Sequence, residues 1–383
     1  MQKLDLIATT TFGLEATVKR ELERMGYAET RVSDGRVDFC GDISAIARAN
    51  LWLRSSDRVL LRLGEFSATT FDELFEGTKA LPWGDWITKD GKFTVTGKSV
   101  KSGLFSVPDC QAIVKKAVVE KLRQRHNVDW FDETGPEYKI QVALLKDVAT
   151  LTIDTTGPGL HKRGYREHAG AAPLKETLAA ALIELSFWKN SRILLDGVCG
   201  SGTIPIEAAM MARGIAPGLN RGFVSQDWPQ IPEDVWKEER RRAYAAISYD
   251  TEPQIYGSDI DPAVIELAKA NAAKAGVDDC ITFEATPLAK LRLPGESGVA
   301  IFNPPYGDRM ASAKEAAALY REMGALFGGN GAWSVYVITS DEDFERHYGA
   351  RADKKRKLFN GMIKTDYYQF HGKKPHSGKK PIV

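Results

Sequence analysis

"RILLDGVCGSGTIPIEAAMMA", residues 192–212, decides the fold. Residues 192–196 are a short apolar run, read as a buried strand, and 204–212 have the apolar density of a helix. Between them lies a loop with glycines at 197, 200 and 202. A strand that enters a helix through such a loop is the repeating unit of a parallel α/β sheet. The glycines let backbone N–H groups approach a ligand closely at the helix N-terminus. An ordinary turn is the plain alternative, but Asp196 closes the strand with an acid. That carboxylate repels a pyrophosphate and accepts from an ammonium group, which favours a hybrid of amino acid and nucleoside over a dinucleotide.

The same strand–loop–helix rhythm continues on both sides. Residues 173–188 read as a helix with Pro173 in its first turn. Residues 254–259 read as a strand and 262–276 as its helix, opened by Asp261 and Pro262. Strands at 280–285, 298–303, 332–340 and 362–370, with a crossover helix at 314–327, complete a mostly parallel sheet. The expectation is a doubly wound, Rossmann-like α/β domain. Asp259, at the end of its strand, is placed to accept from both hydroxyls of a ribose, and Ile260 to lie against a purine. Asp261 is read as a helix cap. The interval from Gly202 to Asp259 far exceeds the usual spacing of about 20 residues, and 213–253 fill it as an inserted loop and helix.

Ahead of this domain the pattern is α+β. A strand at 4–11, a helix at 14–27, a hairpin around Asp34-Gly35, a helix at 43–53 and a strand at 58–66 make one small unit. A second pass follows: a strand at 92–100, a basic helix at 111–126, and strands at 138–145 and 148–156. Alternating short strands and helices without a phosphate loop suggest ferredoxin-like layers. Residues 155–164, "TTGPGLHKRG", have a linker's composition. The expected domains are 1–60, 61–157 and 158–383.

Composition excludes several classes. The 383 residues carry 27% charged and 43% hydrophobic residues, a globular balance, and a net charge of +1. Cys40, Cys110, Cys199 and Cys280 stand far apart, so neither a disulfide framework nor a zinc site is expected, and reduced thiols fit a cytoplasmic protein. No membrane segment, signal peptide or metal is expected. Oligomeric state is not legible.

The second decisive stretch is "AIFNPPYGDR", 300–309. An apolar strand stops abruptly at Asn303, Pro304, Pro305 and Tyr306, since prolines cannot donate to a strand ladder. Together with "LLDGVCGSGT" and "YGSDIDP", it resembles the motifs of class I S-adenosylmethionine-dependent methyltransferases that act on exocyclic amines of bases. The resemblance implies that the Asn303 carboxamide oxygen and the Pro304 carbonyl each accept an N–H of the target amine. The nitrogen is thereby held in line with the methyl donor. Tyr306 would stack on the extruded base, and the prolines keep the loop open.

The likeness extends along the chain. Residues 160–183, 216–223, 356–370 and 7–22 resemble bacterial THUMP-domain rRNA guanine-N2 methyltransferases. This implies a ferredoxin-like and THUMP module that binds RNA, and methylation of a guanine N2 in 23S rRNA. It also implies that Pro173, Lys175, Glu176 and Thr177 border the cofactor, S-adenosylmethionine. Asp196, Gly197, Cys199, Gly200, Ser201, Gly202 and Thr203 form its loop, with Asp259, Ile260, Glu284 and Asn303 completing the site.

Two departures stand out. Gly197 replaces the family's usual proline, and Thr286 stands where many such enzymes place an acid for the adenine amine, which passes that contact to Glu284 or to backbone groups. Cys199 is read as a small loop filler, and Trp83, Trp86 and Trp130 as packing residues. The basic runs at 351–364 and 371–380 are read as phosphate contacts. Two rivals remain: a DNA adenine-N6 methyltransferase, because the same loop suits that amine, and a non-catalytic RNA-binding assembly factor.

Overall fold

The computed structural model describes residues 3–166, 174–250, 252–305, 313–328 and 331–373. In chain order the first elements are β1 (Leu4–Thr9), α1 (Glu15–Arg24), β2 (Thr30–Ser33), β3 (Arg36–Gly41), α2 (Ile43–Trp52) and β4 (Arg58–Ser67). Then come α3 (Phe71–Ala80), β5 (Lys92–Val100), α4 (Val107–His126), β6 (Glu137–Leu145) and β7 (Val148–Asp154). The second half holds α5 (Glu176–Leu185), β8 (Ile193–Asp196), α6 (Thr203–Ala212), α7 (Glu233–Ala245), β9 (Ile255–Asp259), α8 (Pro262–Ala275) and β10 (Ile281–Ala285). It ends with β11 (Gly298–Phe302), α9 (Ala313–Phe327), β12 (Trp333–Thr339), α10 (Phe344–Tyr348), β13 (Lys354–Asn360) and β14 (Ile363–Phe370).

The chain divides into two compact units. The first comprises Met1–Thr10, Val18–Leu160 and Arg221–Ala243; the second comprises Thr11–Thr17, His161–Asn220 and Tyr244–Val383. The first unit is built on one sheet in the order β2-β3-β1-β4-β7-β6-β5. Its two halves are joined through the β4–β7 ladder rather than standing as separate sheets.

Three sequence expectations are corrected here. The insertion between α6 and β9 does not belong to the α/β unit: residues 221–243 are part of the first unit. Trp228 stacks on Tyr138 at 5.0 Å and donates to the Glu137 carbonyl at 3.0 Å, and Arg48 pairs with the buried Glu239 at 2.7 Å. The start of the expected linker is fixed: Thr155 and Thr156 are buried and bond to Asn50, and Thr156 accepts from the Val59 amide at 2.8 Å. Trp83 and Trp86 are buried as expected, but Trp130 is 79% exposed.

The second unit carries the expected doubly wound sheet, in the order β10-β9-β8-β11-β12-β14-β13. β10, β9, β8, β11 and β12 are parallel, while β14 and β13 run antiparallel. β11 and β12 are buried at every residue, as central strands covered on both faces must be. Their Phe302, Val335 and Val337 pack with Tyr320, Met323 and Phe344 in the main core. The strand order reverses beside β8, between β9 and β11. In open parallel sheets the crevice outside the carboxyl ends at that reversal is where ligands bind. α8 starts as its sequence dictates, with Asp261 accepting from the Ala263 amide at 2.9 Å and Pro262 at the first helical position. α5 begins only at Glu176, so it does not start where Pro173 was expected, and Pro173 lies outside the described residues.

Candidate active site

Three adjacent strands end at that crevice and present Asp196, Asp259 and Asn303. A cavity of about 520 Å³ opens there. Its floor is the glycine loop. Gly202 has a φ of 82° at the start of α6, a left-handed conformation that glycine adopts without strain, and a Cβ there would meet Ala268 at 3.0 Å and Phe283 at 3.1 Å. Gly197 is also confined, since an added Cβ would stand 2.9 Å from Leu288.

Asp196 is 2% exposed, and the Val198 amide donates to it at 3.2 Å. Burial pushes its carboxyl well above the ordinary value of 3.8, and the negative Asp259 pushes it the same way. Asp259 is held by two backbone donors, Gly200 at 3.0 Å and Asp261 at 3.1 Å. Each of its oxygens keeps a second lone pair for a ligand. Beside it Ile260 is 73% exposed, an apolar side chain left open at the rim. Cys199 is buried and its thiol is pushed up, first by burial and then by Asp196, which disfavours the thiolate; its sulfur lies beside Gly257.

The cavity's charge is one-sided. Among the described lining residues, Asp196, Asp259 and Glu322 are acidic and none is basic. Such a pocket attracts a cation and repels phosphate. A paired layer supports it from behind. Arg166 meets Glu176 at 3.4 Å and donates to the Thr203 hydroxyl, while Arg163 meets Glu207 at 3.3 Å.

At the end of β11, the side-chain oxygen of Asn303 is buried and has no hydrogen-bond partner among the described residues. A buried acceptor left unpaired costs about 1–3 kcal/mol, so its place beside a cavity points to a donor brought by a ligand.

The structure brings together Asp196, Gly197, Cys199, Gly200, Ser201, Thr203, Asp259, Ile260, Asn303 and Pro305 on the cavity wall. Pro304 is buried and Gly202 shapes the loop, but neither lines the cavity. Lys175, Glu176 and Thr177 lie at the start of α5 without lining it, and Glu176 is instead buried against Arg166. Glu284 is exposed and away from the wall; Pro287, Leu288 and Ala289 take that side. Tyr306 lies outside the described residues. Sequence reasoning missed Val264 and Leu267, although their spacing of three on α8, directly after Ile260, is a helical-face signal. It also missed Leu174, Leu319 and Glu322, which come from distant segments.

A family model for an RMKL-like methyltransferase domain, UPF0020, matches residues 163–369. The chain belongs to the UPF0020 family. An RlmL ferredoxin-like domain matches residues 5–60 and a THUMP domain residues 68–154. Among relatives of this UPF0020 protein, one from Bacillus subtilis (strain 168), named "Putative RNA methyltransferase YpsC", is 51% identical over 99% of both chains. A crystal structure from Listeria monocytogenes str. 4b F2365, described as a predicted N6-adenine-specific DNA methylase, is 52% identical with a TM-score of 0.93, covering 97% of each chain. A structure of SMU.472 complexed with SAH is 44% identical with a TM-score of 0.92, covering 98% of this chain and 100% of that one.

Proposed function

We propose that this S-adenosylmethionine-dependent RNA methyltransferase transfers its methyl group to the N2 amine of a guanine in 23S rRNA. The observation that carries the amine chemistry is the buried oxygen of Asn303 at the cavity, without a partner among the described residues. An exocyclic amine is a poor nucleophile because its lone pair is delocalised into the ring. An acceptor fixed at a strand end takes one of its N–H groups, orients the nitrogen and favours localisation of that lone pair. The Pro304 carbonyl is the second acceptor, and Tyr306 the stacking surface.

The residues present suit the cofactor. S-adenosylmethionine supplies an electrophilic methyl on a sulfonium, and it carries an ammonium as well. The acidic wall, which carries no cation among its described residues, matches both positive charges. Asp196 is assigned to the ammonium, Asp259 to the ribose hydroxyls, and Ile260 with Leu288 to the faces of the adenine. Glu284 is not needed in this reading, because Ala289 and its neighbours offer backbone groups on that side. Glu176 acts through Arg166, which steadies Thr203 on the wall.

RNA is favoured over DNA by the THUMP match at 68–154. Within that segment α4 exposes Lys115, Lys116, Arg123 and Arg125, with Lys92, Lys98 and Lys101 also exposed just upstream. Such a surface fixes the register of a folded polyanion, while the pocket chooses one base. The expected domains, 1–60, 61–157 and 158–383, with residues 221–243 of the last packing in the first compact unit, and a cytoplasmic location form part of the same reading.

The test is Asn303→Ala. Methyl transfer should fall roughly 100-fold or more, as for other oriented transition-state partners, with S-adenosylmethionine affinity near wild type. Near-normal turnover would remove the amine-positioning role. A wild type that methylates duplex DNA and no RNA would favour the adenine-N6 reading.

A further inference from the structure

The hairpin of β13 and β14 carries chemistry that the catalytic pocket does not use. β14 pairs with β12 so that Tyr368 lies level with Val337, which in turn is level with Phe302 at the end of β11. β14 begins five residues before Tyr368, at Ile363, and runs antiparallel. Ile363, at the base of the tip, therefore stands beyond the level of Asn303 at the carboxyl edge of the sheet by about 14 Å, four residues at ~3.4 Å each.

Asn360 faces Ile363 across a turn of Gly361 and Met362, and Met362 is 98% exposed. Below it stand Lys354, Lys355, Lys357 and Lys364, all exposed, with Arg356 half-buried. The ribbon is braced. Phe359 meets Phe12 edge-on at 6.3 Å, and Arg356 donates to the Gly13 carbonyl at 3.2 Å. Gly13 has a φ of 93°, and a Cβ there would lie 2.8 Å from the Lys357 carbonyl, so only glycine lets this segment approach the ribbon so closely.

Met362 and its 41%-exposed neighbour Ile363, at the tip of a cationic ribbon, make too small an apolar patch for a protein interface. It suits a polyanion that must be locally unstacked. Apolar side chains, methionine among them, wedge between bases while nearby cations hold the phosphates. Drawing a base into a pocket leaves such a gap.

We infer that the β13–β14 hairpin engages the RNA substrate, with Met362 filling the space vacated by the extruded base and Lys357 and Lys364 holding the flanking phosphates. This rests on the RNA reading above. The experiment uses the full chain and total RNA from cells lacking its gene. Filter binding and single-turnover transfer of labelled methyl are measured for wild type, Met362→Ala, Met362→Leu and the double variant Lys357→Ala/Lys364→Ala. Met362→Ala should slow transfer at least tenfold while RNA affinity stays within threefold, and Met362→Leu should retain the wild-type rate. The double variant should weaken RNA binding and make its salt dependence shallower by about two released counterions. An unchanged rate in Met362→Ala, or an equal loss in Met362→Leu, overturns the wedge. Unchanged RNA binding in the double variant overturns the phosphate contacts. A wild type that modifies no RNA overturns the underlying reading, and this inference with it.

Discussion

Asp196→Asn separates what Asp196 does for the ligand from what it costs the fold. In the free protein this carboxyl is almost fully enclosed, takes one backbone donor from Val198, and feels the negative Asp259. Its folded-state pKa is raised, so the ionised form is disfavoured in the folded protein. Stability from this group is present at low pH and lost as pH rises through the raised value. The free Asp196→Asn variant should therefore melt higher than wild type, by a margin that grows as pH climbs above the ordinary carboxyl value of 3.8. Ligand binding reverses the order. An ammonium beside Asp196 lowers its pKa, so binding below the free-state value releases a proton. Wild-type affinity for S-adenosylmethionine then rises with pH, by up to about tenfold per unit, and levels off above that value. The variant has no such proton to release, and its affinity should be flat across this window. On the plateau it loses a charged hydrogen bond worth about 1.5–3 kcal/mol, or roughly 10- to 150-fold in dissociation constant. Thermal melts and titration calorimetry across pH provide both readouts. A pH-independent wild-type affinity equal to that of the variant would refute the ammonium assignment.

Asp259→Ala should weaken S-adenosylmethionine at least tenfold, because it removes a carboxylate whose free lone pairs face the cavity; calorimetry showing wild-type affinity would mean the ribose acid is misassigned. Lys115→Glu with Lys116→Glu should weaken RNA binding and flatten its salt dependence by about two released counterions or more, leaving cofactor affinity unchanged, as filter binding and calorimetry would show. Charge reversal is preferable to deletion of residues 1–158, since that cut would strip residues 221–243 of Tyr138 and Arg48 and expose Trp228.

Much of the α/β unit was legible because its signals are local. A strand ending in Asp196, a glycine loop, and a strand stopped by Asn303 and two prolines each declare themselves within a few residues. α8 announced itself through Asp261 and Pro262. α3 was overlooked although Thr70 and Glu73 form a capping box, a signal that sequence reading can use. β13 was hidden for a physical reason. An edge strand studded with lysines reads as a solvated run, and its buried Leu358 is outweighed by the charges that protect the edge. The partners of 221–243 were beyond local reading, since Trp228 and Glu239 find Tyr138 and Arg48 only through the tertiary fold. Glu284 looked suitable by position, but the chain carries Pro287–Ala289 to the cavity wall instead.

The central claim is that this chain places a methyl group on the N2 of a guanine in 23S rRNA through Asn303. Nucleoside mass spectrometry of 23S rRNA tests it directly, from a strain lacking the gene and from that strain carrying either the wild-type or the Asn303→Ala gene. One N2-methylguanosine should disappear on deletion, return with the wild-type gene and stay absent or strongly reduced with Asn303→Ala. An unchanged N2-methylguanosine content on deletion, or loss of a different methylated nucleoside, would contradict the account.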